Sequence, residues 1–384
     1  MADLNDHNAE SIREALEKLA ENGLPPADAD LAKVFDVGTG PFIRFFEDEV
    51  LGRIVMSGGA TLKFFEGSHG SGKTHITRLL EQSAFSQGCA VVRIDLSQGL
   101  SLRYWKSITQ TVLETIALSI GSEFVIGLPN ILEKLRESNS LRLDRFKRSN
   151  LAHPGFRTAM LQVLESRNLN PQADDLLESF LLGERVTVRS FKAAGIRGVK
   201  NPLTERNAEQ VLKTILGGLH LLGIPGTLII FDENEATFDF TGRKGAWVQT
   251  SANKLRRLID ACFTGGLVGT IVVFAVLPGF LERCNTAYPA LGERLRMDRS
   301  GTFSSSWRWP VLSVDDVGNT ATPEDFLKEE TKIMIDLVEG LSGDSNGLED
   351  QMIDQGSKVL QNNAGSGYKR EIMKSLAASA IARL

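Results

Sequence analysis

Apolar residues recur along this chain at two different spacings, and the switches between them mark out its elements. Residues 10–22 place Ile12, Leu16 and Leu19 on one helical face, and Asn22-Gly23 before Pro25-Pro26 ends that helix. A linker leads to the short turn Phe35-Asp36-Val37-Gly38 and to a second helix from about Pro41 to Met56, stopped at Gly58-Gly59. Thr61-Leu62-Lys63-Phe64-Phe65-Glu66 mixes β-branched and aromatic types and predicts a short buried strand. From His75 to Phe85 the spacing turns helical again, through Ile76, Leu79, Leu80 and Ala84. Ala90 to Leu96 predicts a second buried strand, and a helix from Tyr104 to about Ser119 completes a strand–helix unit.

Residues 121–210 break this alternation. They predict helices at Ile131 to Glu137, Ala159 to Glu165 and Asp174 to Leu182 with polar connections, so they read as an inserted helical subdomain. Asn207 to Leu222 is strongly amphipathic, with Gly223 and Pro225 as its stop. Gly226 to Glu233 then reads as a buried strand ending in two acids, and Ser251 to Phe263 as a helix. Gly269 to Leu277 is apolar except for Thr270, the mark of a strand covered on both faces. Thr302 to Leu312 supplies a last strand, followed by helical segments near 323–341, 349–362 and 369–383. Apolar strands alternating with helices predict a parallel sheet sandwiched between helices.

Between the first strand and its helix stands Gly67-Ser68-His69-Gly70-Ser71-Gly72-Lys73-Thr74, a complete G-x-x-x-x-G-K-[ST] phosphate loop. Glycines let such a backbone wrap a polyphosphate and aim N–H groups at it, and the helix N-terminus adds partial positive charge. Lys73 would reach the β/γ-phosphates, the Thr74 hydroxyl would hold Mg²⁺, and His69 and His75 flank the loop. Upstream, Phe35 to Gly38 is a candidate for packing on adenine, with an ordinary apolar turn as the alternative.

Hydrolysis needs a metal-holding acid and a base for water. Leu228 to Glu233 is four apolar residues followed by Asp-Glu, the layout of a Walker B strand. Asp232 would hold Mg²⁺ through water and Glu233 would polarise the attacking water, with Glu235 a possible assistant or a solvated loop acid. Arg294, and second to it Arg296, lies where ring-forming ATPases carry an arginine finger, although Glu293 and Asp298 could simply pair with them. Arg370, with Lys369 as the alternative, opens the last helix and could reach back to a γ-phosphate as a second sensor does. The fourth strand ends Ala275-Val276-Leu277-Pro278, without the polar residue of a first sensor.

Charge and composition narrow the function classes. Net charge is −5, yet residues 1–50 hold 12 acids against 4 bases and 315–354 hold 12 against 2. Residues 134–206 invert this with 14 bases and 8 acids. Within them, 185–200 carries five bases and no acid, with Phe191 and Ile196 between, which fits a solvated face or a nucleic-acid contact. Three cysteines in no pairing or zinc pattern suit a reducing cytosol, and the five histidines lack metal-ligand spacing. The start has no signal-peptide layout, and the longest apolar stretch, Leu267 to Phe280, is too short for a bilayer and holds Pro278. A cytoplasmic protein without a membrane span is expected. No acceptor pocket or lid arginine cluster follows the loop, which argues against a small-molecule kinase.

Several of these features resemble the ATP-binding proteins of bacterial phage-defence islands, the BrxD-like proteins of BREX systems. They are Glu14-Ala15-Leu16 with Asn22 to Pro26, Val37-Gly38, Gly58-Gly59 and the loop Gly67 to Thr74 with its helix. Asn207-Ala208, Leu222 to Gly226 and Asp232-Glu233-Asn234-Glu235 complete the set. The resemblance implies an AAA+-like P-loop NTPase of the additional-strand (ASCE) type: a five-stranded parallel sheet between helices, a helical insertion and a C-terminal helical lid. On this reading the chain divides into an N-terminal helical segment 1–57, a core 58–312 with its insertion at about 121–210, and a lid 313–384. It also implies ATP and Mg²⁺ as cofactors, ATP hydrolysis, homo-oligomers formed on ATP binding, and action against foreign DNA beside other defence proteins. Two functions fit. One is a DNA-acting motor or loader, favoured by the basic 134–206 region; the other is a slow nucleotide-controlled switch, favoured by the acidic ends and the absent first sensor.

Overall fold

The computed structural model describes residues 9–26, 29–96, 100–121, 123–137, 142–165, 170–232, 246–295, 306–318, 322–342, 344–363 and 367–384. Among the described residues seven strands form one sheet: β1 (Ala60–Glu66), β2 (Ala90–Asp95), β3 (Ala117–Ile120), β4 (Glu123–Ile126), β5 (Thr227–Asp232), β6 (Thr270–Val276) and β7 (Val311–Ser313). Their order is β4-β3-β2-β5-β6-β1-β7. β2, β5, β6, β1 and β7 pair in parallel. β3 and β4 run antiparallel and extend the edge beyond β2.

The expected five parallel strands therefore lie within a mixed sheet of seven. The correction comes from a region read as helical. The helix Trp105–Thr115 ends earlier than predicted, and Ala117–Ile120 and Glu123–Ile126 form a hairpin around Gly121, whose φ is +63°. Its strands have four residues each, too few for an alternating pattern to stand out from the helical spacing before it. The stretch expected to be an insertion also carries helices at Leu128–Glu137, Leu143–Arg148, Pro154–Glu165, Pro171–Leu181 and Val188–Ala193. The second predicted helix is α-helical over Gly40–Phe45 and continues as a π-helix over Phe46–Val55. Its buried residues Phe42, Phe46, Val50, Leu51 and Val55 repeat every four to five positions, wider than an α-helical turn. The last strand is shorter than predicted, and residues 302–305 of that prediction lie outside the described residues.

Each central strand buries both faces, with successive residues in different cores. Leu62, Phe64, Val92, Ile94, Ile229, Phe231, Val272 and Phe274 join one cluster with the insertion helices and Ala208–Leu222. Phe65, Val91, Leu228, Ile230, Ile271 and Val273 join the other, beside Ile76, Leu80 and Ala84 of the helix Lys73–Ser86. This two-residue alternation under apolar cover on both sides is what a parallel sheet demands. The ring of Phe274 stacks on Phe231 at 4.5 Å and on Phe64 at 5.1 Å, tying β5, β6 and β1 together. Cys89, Cys262 and Cys284 are free and buried.

A third cluster is separate from the sheet. Ile12, Leu16 and Leu19 of the N-terminal helix Ala9–Asn22, with Leu31, Phe35 and Val37, pack against Phe326, Met334, Leu348, Met352, Ile372 and Leu376. Those partners lie on the C-terminal helices Pro323–Ser342, Leu348–Asn362 and Tyr368–Ile381. The two ends of the chain thus share one helical core. Among the described residues no helix is long and apolar enough to cross a membrane.

Candidate functional site

The phosphate loop sits where the sheet and the terminal helical core meet. β1 delivers it and the helix Lys73–Ser86 leaves it, starting on the motif's own lysine. Gly70 and Gly72 have φ of +74° and +101°, a backbone region closed to most side chains. A Cβ on Gly67 would stand 2.3 Å from Ser71 Oγ and 3.2 Å from Ser71 Cβ, so any other residue there would displace the Ser71 hydroxyl. Ser71 Oγ itself is buried without a hydrogen-bond partner. Lys73 Nζ donates to Gly67 O at 2.5 Å and Ser68 O at 2.8 Å. The ammonium is folded over its own loop, and the loop holds an orphan hydroxyl that a phosphate oxygen would satisfy.

Asp232 ends β5, and its register beside β2 and β6 brings it to the strand end nearest the loop. It is 8% exposed and lines the same cavity as His69 to Ile76. Its Oδ2 accepts from Arg93 Nη1 at 2.6 Å. The same guanidinium donates from Nε to Glu81 Oε1 at 2.9 Å and from Nη2 to Thr77 Oγ1 at 3.0 Å. One arginine therefore fixes the acid of β5 against two groups on the loop's helix. Arg93 was absent from the sequence reading, although a lone cation inside the apolar run Ala90 to Leu96 is a legible signal. Burial and the neighbouring Arg93 together lower the pKa of Arg78 on that helix.

The cavity measures about 470 Å³. Beyond the loop and Asp232, its walls include Phe35, Val37 and Thr39, the strand end Ala275 to Leu277, and Phe326, Glu330, Lys369 and Arg370. The predicted turn Phe35 to Gly38 thus borders the same space as the loop. It is fastened there by Asp36, which accepts from Thr39 Oγ1 at 2.6 Å and faces His75 Nε2 at 3.2 Å. The strand end is apolar, as read from Ala275-Val276-Leu277.

The last helix touches the loop directly. Gly367, at φ +80°, would put a Cβ 2.7 Å from His69 O, and a Cβ on Gly70 would stand 2.9 Å from Arg370 Cβ. Arg370 Nε donates to Asn22 O at 2.8 Å, joining the two termini at the cavity wall. Lys369 pairs with Asp315 at 3.6 Å and lies over the Phe326 ring. Arg294 stands elsewhere. It is not among the cavity residues, and it pairs with Asp260 and donates to Ala290 O. Glu233, Glu235, Arg296 and Asp298 lie outside the described residues.

Glu330 is the second residue that sequence reading missed. It is 1% exposed, lines the cavity, and its Oε2 has no hydrogen-bond partner. Burial, reinforced by Asp36 and Glu329 and opposed by Lys369, holds its carboxyl pKa well above the ordinary range. A signal did exist. Phe326, Leu327, Glu330, Thr331, Met334, Leu337 and Val338 form one buried stripe, so this carboxyl falls on the apolar face of its helix.

Among known families, the one described as "BREX system ATP-binding protein BrxC/D" matches residues 10–137 and 152–319. No curated protein and no solved structure matches the chain. The matched segments cover more than half of the sequence and include the phosphate loop, Arg93 and Asp232; the chain belongs to this BREX ATP-binding family.

Proposed function

From that membership, we propose that the chain binds ATP in the cavity between sheet and terminal helices and hydrolyses it there to ADP and phosphate. The observation that carries this reading is the convergence of His69–Thr74 of the phosphate loop and Asp232 on one cavity. The strand order β7-β1-β6-β5-β2 places another strand between the loop strand and the acid strand, which supports assignment to the additional-strand (ASCE, AAA+-like) class. In this assignment the C-terminal helices act as the lid, completed by the N-terminal helix that packs on them.

Lys73 leaves its loop carbonyls for the β/γ-phosphate oxygens, and the loop N–H groups and Ser71 hydroxyl take others. Thr74 and Asp232 would hold Mg²⁺, which when bound neutralises charge on the phosphate oxygens. Among the described residues no cluster of three or more His, Cys, Asp or Glu could hold a metal alone, so Thr74 and Asp232 would need the bound phosphates to help hold it. Arg93 orients Asp232. Glu233, the next residue along, polarises the attacking water. Arg370 approaches the loop from the lid, and Arg294, outside its own cavity, serves the cavity of a neighbouring copy.

The coupled process is defence against foreign DNA in concert with other proteins of the system. The side chains of Arg185, Arg189, Lys192, Arg197 and Lys200 are all exposed, while Phe191, Ile196 and Val199 anchor the segment in the core. That leaves a fixed basic face able to meet a phosphate backbone. A slow, nucleotide-controlled switch is the second reading, favoured by the apolar end of β6 and by the Arg93 pair on Asp232. ATPase rate with and without duplex and single-stranded DNA, at two salt concentrations, separates them. Stimulation that fades with salt supports the motor, and a slow rate indifferent to DNA supports the switch.

A further inference from the structure

The phosphate loop, Asp232 and the lid arginine account for the polar wall of the cavity, but not for a carboxyl group buried in the apolar one. We infer that Glu330 reads the purine edge of the bound nucleotide and selects adenine. This rests on the nucleotide site proposed above and adds the choice of base.

Leu19, Phe35, Val37, Phe326 and Met373, all of the terminal helical core, line the same cavity as Glu330 and give it an apolar wall on which a flat aromatic ring could pack. Asp36 links this wall to the loop, because it faces His75 on the loop's helix and its charge also acts on Glu330. A base held here therefore belongs to the molecule whose phosphates the loop would hold. Beside such a wall a buried carboxyl whose Oε2 has no partner is costly, and a base edge is a group that would satisfy it.

The neutral acid has one O–H donor and one C=O acceptor side by side. Adenine presents the complementary pair, N1 as acceptor and the 6-amino N–H as donor. Guanine can meet the same acid only in a shifted register, which leaves its 2-amino group against apolar side chains. An ionised carboxylate reverses the preference, since it accepts two hydrogen bonds and guanine offers adjacent N1–H and 2-amino donors. Burial and three charged groups set the ionisation: burial itself, Asp36 from the cavity turn and Glu329 from the same helix favour the neutral form, and Lys369 from the last helix opposes it.

The test compares equilibrium binding of ATP, GTP and purine riboside triphosphate, which lacks the 6-amino group. Wild type is expected to prefer ATP over purine riboside triphosphate by about tenfold, the worth of a hydrogen bond to a buried group left unmet. Glu330→Leu should erase that preference. Glu330→Gln should keep it, because the amide also offers a donor and an acceptor. As pH rises, ATP affinity should weaken in wild type and stay level in Glu330→Gln. Equal binding of the two purines by wild type, or an unchanged preference in Glu330→Leu, overturns the inference. If Glu330→Leu does not fold, the purine comparison in wild type and the pH series with Glu330→Gln still decide. ATP binding unaffected by Lys73→Ala would instead reject the nucleotide site itself, whatever the base preference.

Discussion

At one end of the cavity, the consecutive loop residues His69 to Thr74 line the wall, and a single strand end adds Asp232. At the other end, Leu19, Phe35, Phe326, Glu330 and Met373 come from both termini of the chain and meet only in the folded helical core. The first end is set by local backbone geometry: positive-φ glycines, a strand before and a helix after. The second depends on packing between elements that are far apart in sequence. On the function proposed above, the chemistry would fall to the sheet end, and recognition of the rest of the ligand to the helical end.

The largest effect belongs to the sheet end. Glu233→Gln should leave nucleotide and metal bound while turnover falls by about 10³-fold, the loss of a general base. Asp232→Asn should lower turnover and also raise the metal concentration required, as steady-state rates against magnesium would show. Identical metal dependence in the two variants would mean that the neighbouring acids do not divide the work.

Arg294 tests whether the cavity is complete within one chain. Arg294→Ala should preserve ATP affinity and cut turnover by about 10²-fold, as removal of a charge-stabilising donor does. Mixing it with Lys73→Ala should restore part of the activity, increasingly at higher protein concentration. Mixtures that stay inactive where wild type assembles would assign Arg294 to its ion pair with Asp260 alone.

The seam between the two ends is next. Gly367→Ala puts a methyl against His69 O and strains a left-handed residue, at about 1–2 kcal/mol. ATP affinity measured by titration should weaken about tenfold if the last helix must sit on the loop. An unchanged affinity would show that the helical end closes independently of the cradle.

How much of this was legible follows the same division. The strands β1, β2, β5 and β6 announce themselves as apolar runs, and the loop and Asp232 stand at their ends. The hairpin Ala117–Ile126 does not, because its short strands follow a helix without a change of composition. Arg93 and Glu330 escaped for another reason. Each is an ordinary charged residue by type, and only the burial of its neighbours marks it. Glu330 also sits in the acidic stretch 315–354, where most carboxylates meet solvent and one buried among them is hidden by the rest.

Glu330 gives the smallest expected effect, and it falls on stability. Its folded pKa is raised while the unfolded chain titrates normally, so both states hold the proton in acid and no ionisation penalty arises there. As pH rises past the ordinary carboxyl range, the unfolded state ionises first and the native state loses ground. Glu330→Gln should therefore match wild type in Tm at acidic pH and exceed it by a few degrees, roughly, near neutrality and above. A difference that does not change with pH would show that burial does not control this carboxyl.

The central claim is that Gly67 to Thr74 binds the phosphates of ATP. Equilibrium binding of labelled ATP with magnesium, compared between wild type and a folded Lys73→Ala, tests it most directly. Saturable binding by wild type and loss of at least about 100-fold in affinity for Lys73→Ala, the scale of a charge-assisted contact to phosphate, is the predicted result. Equal affinity in the two proteins would contradict it.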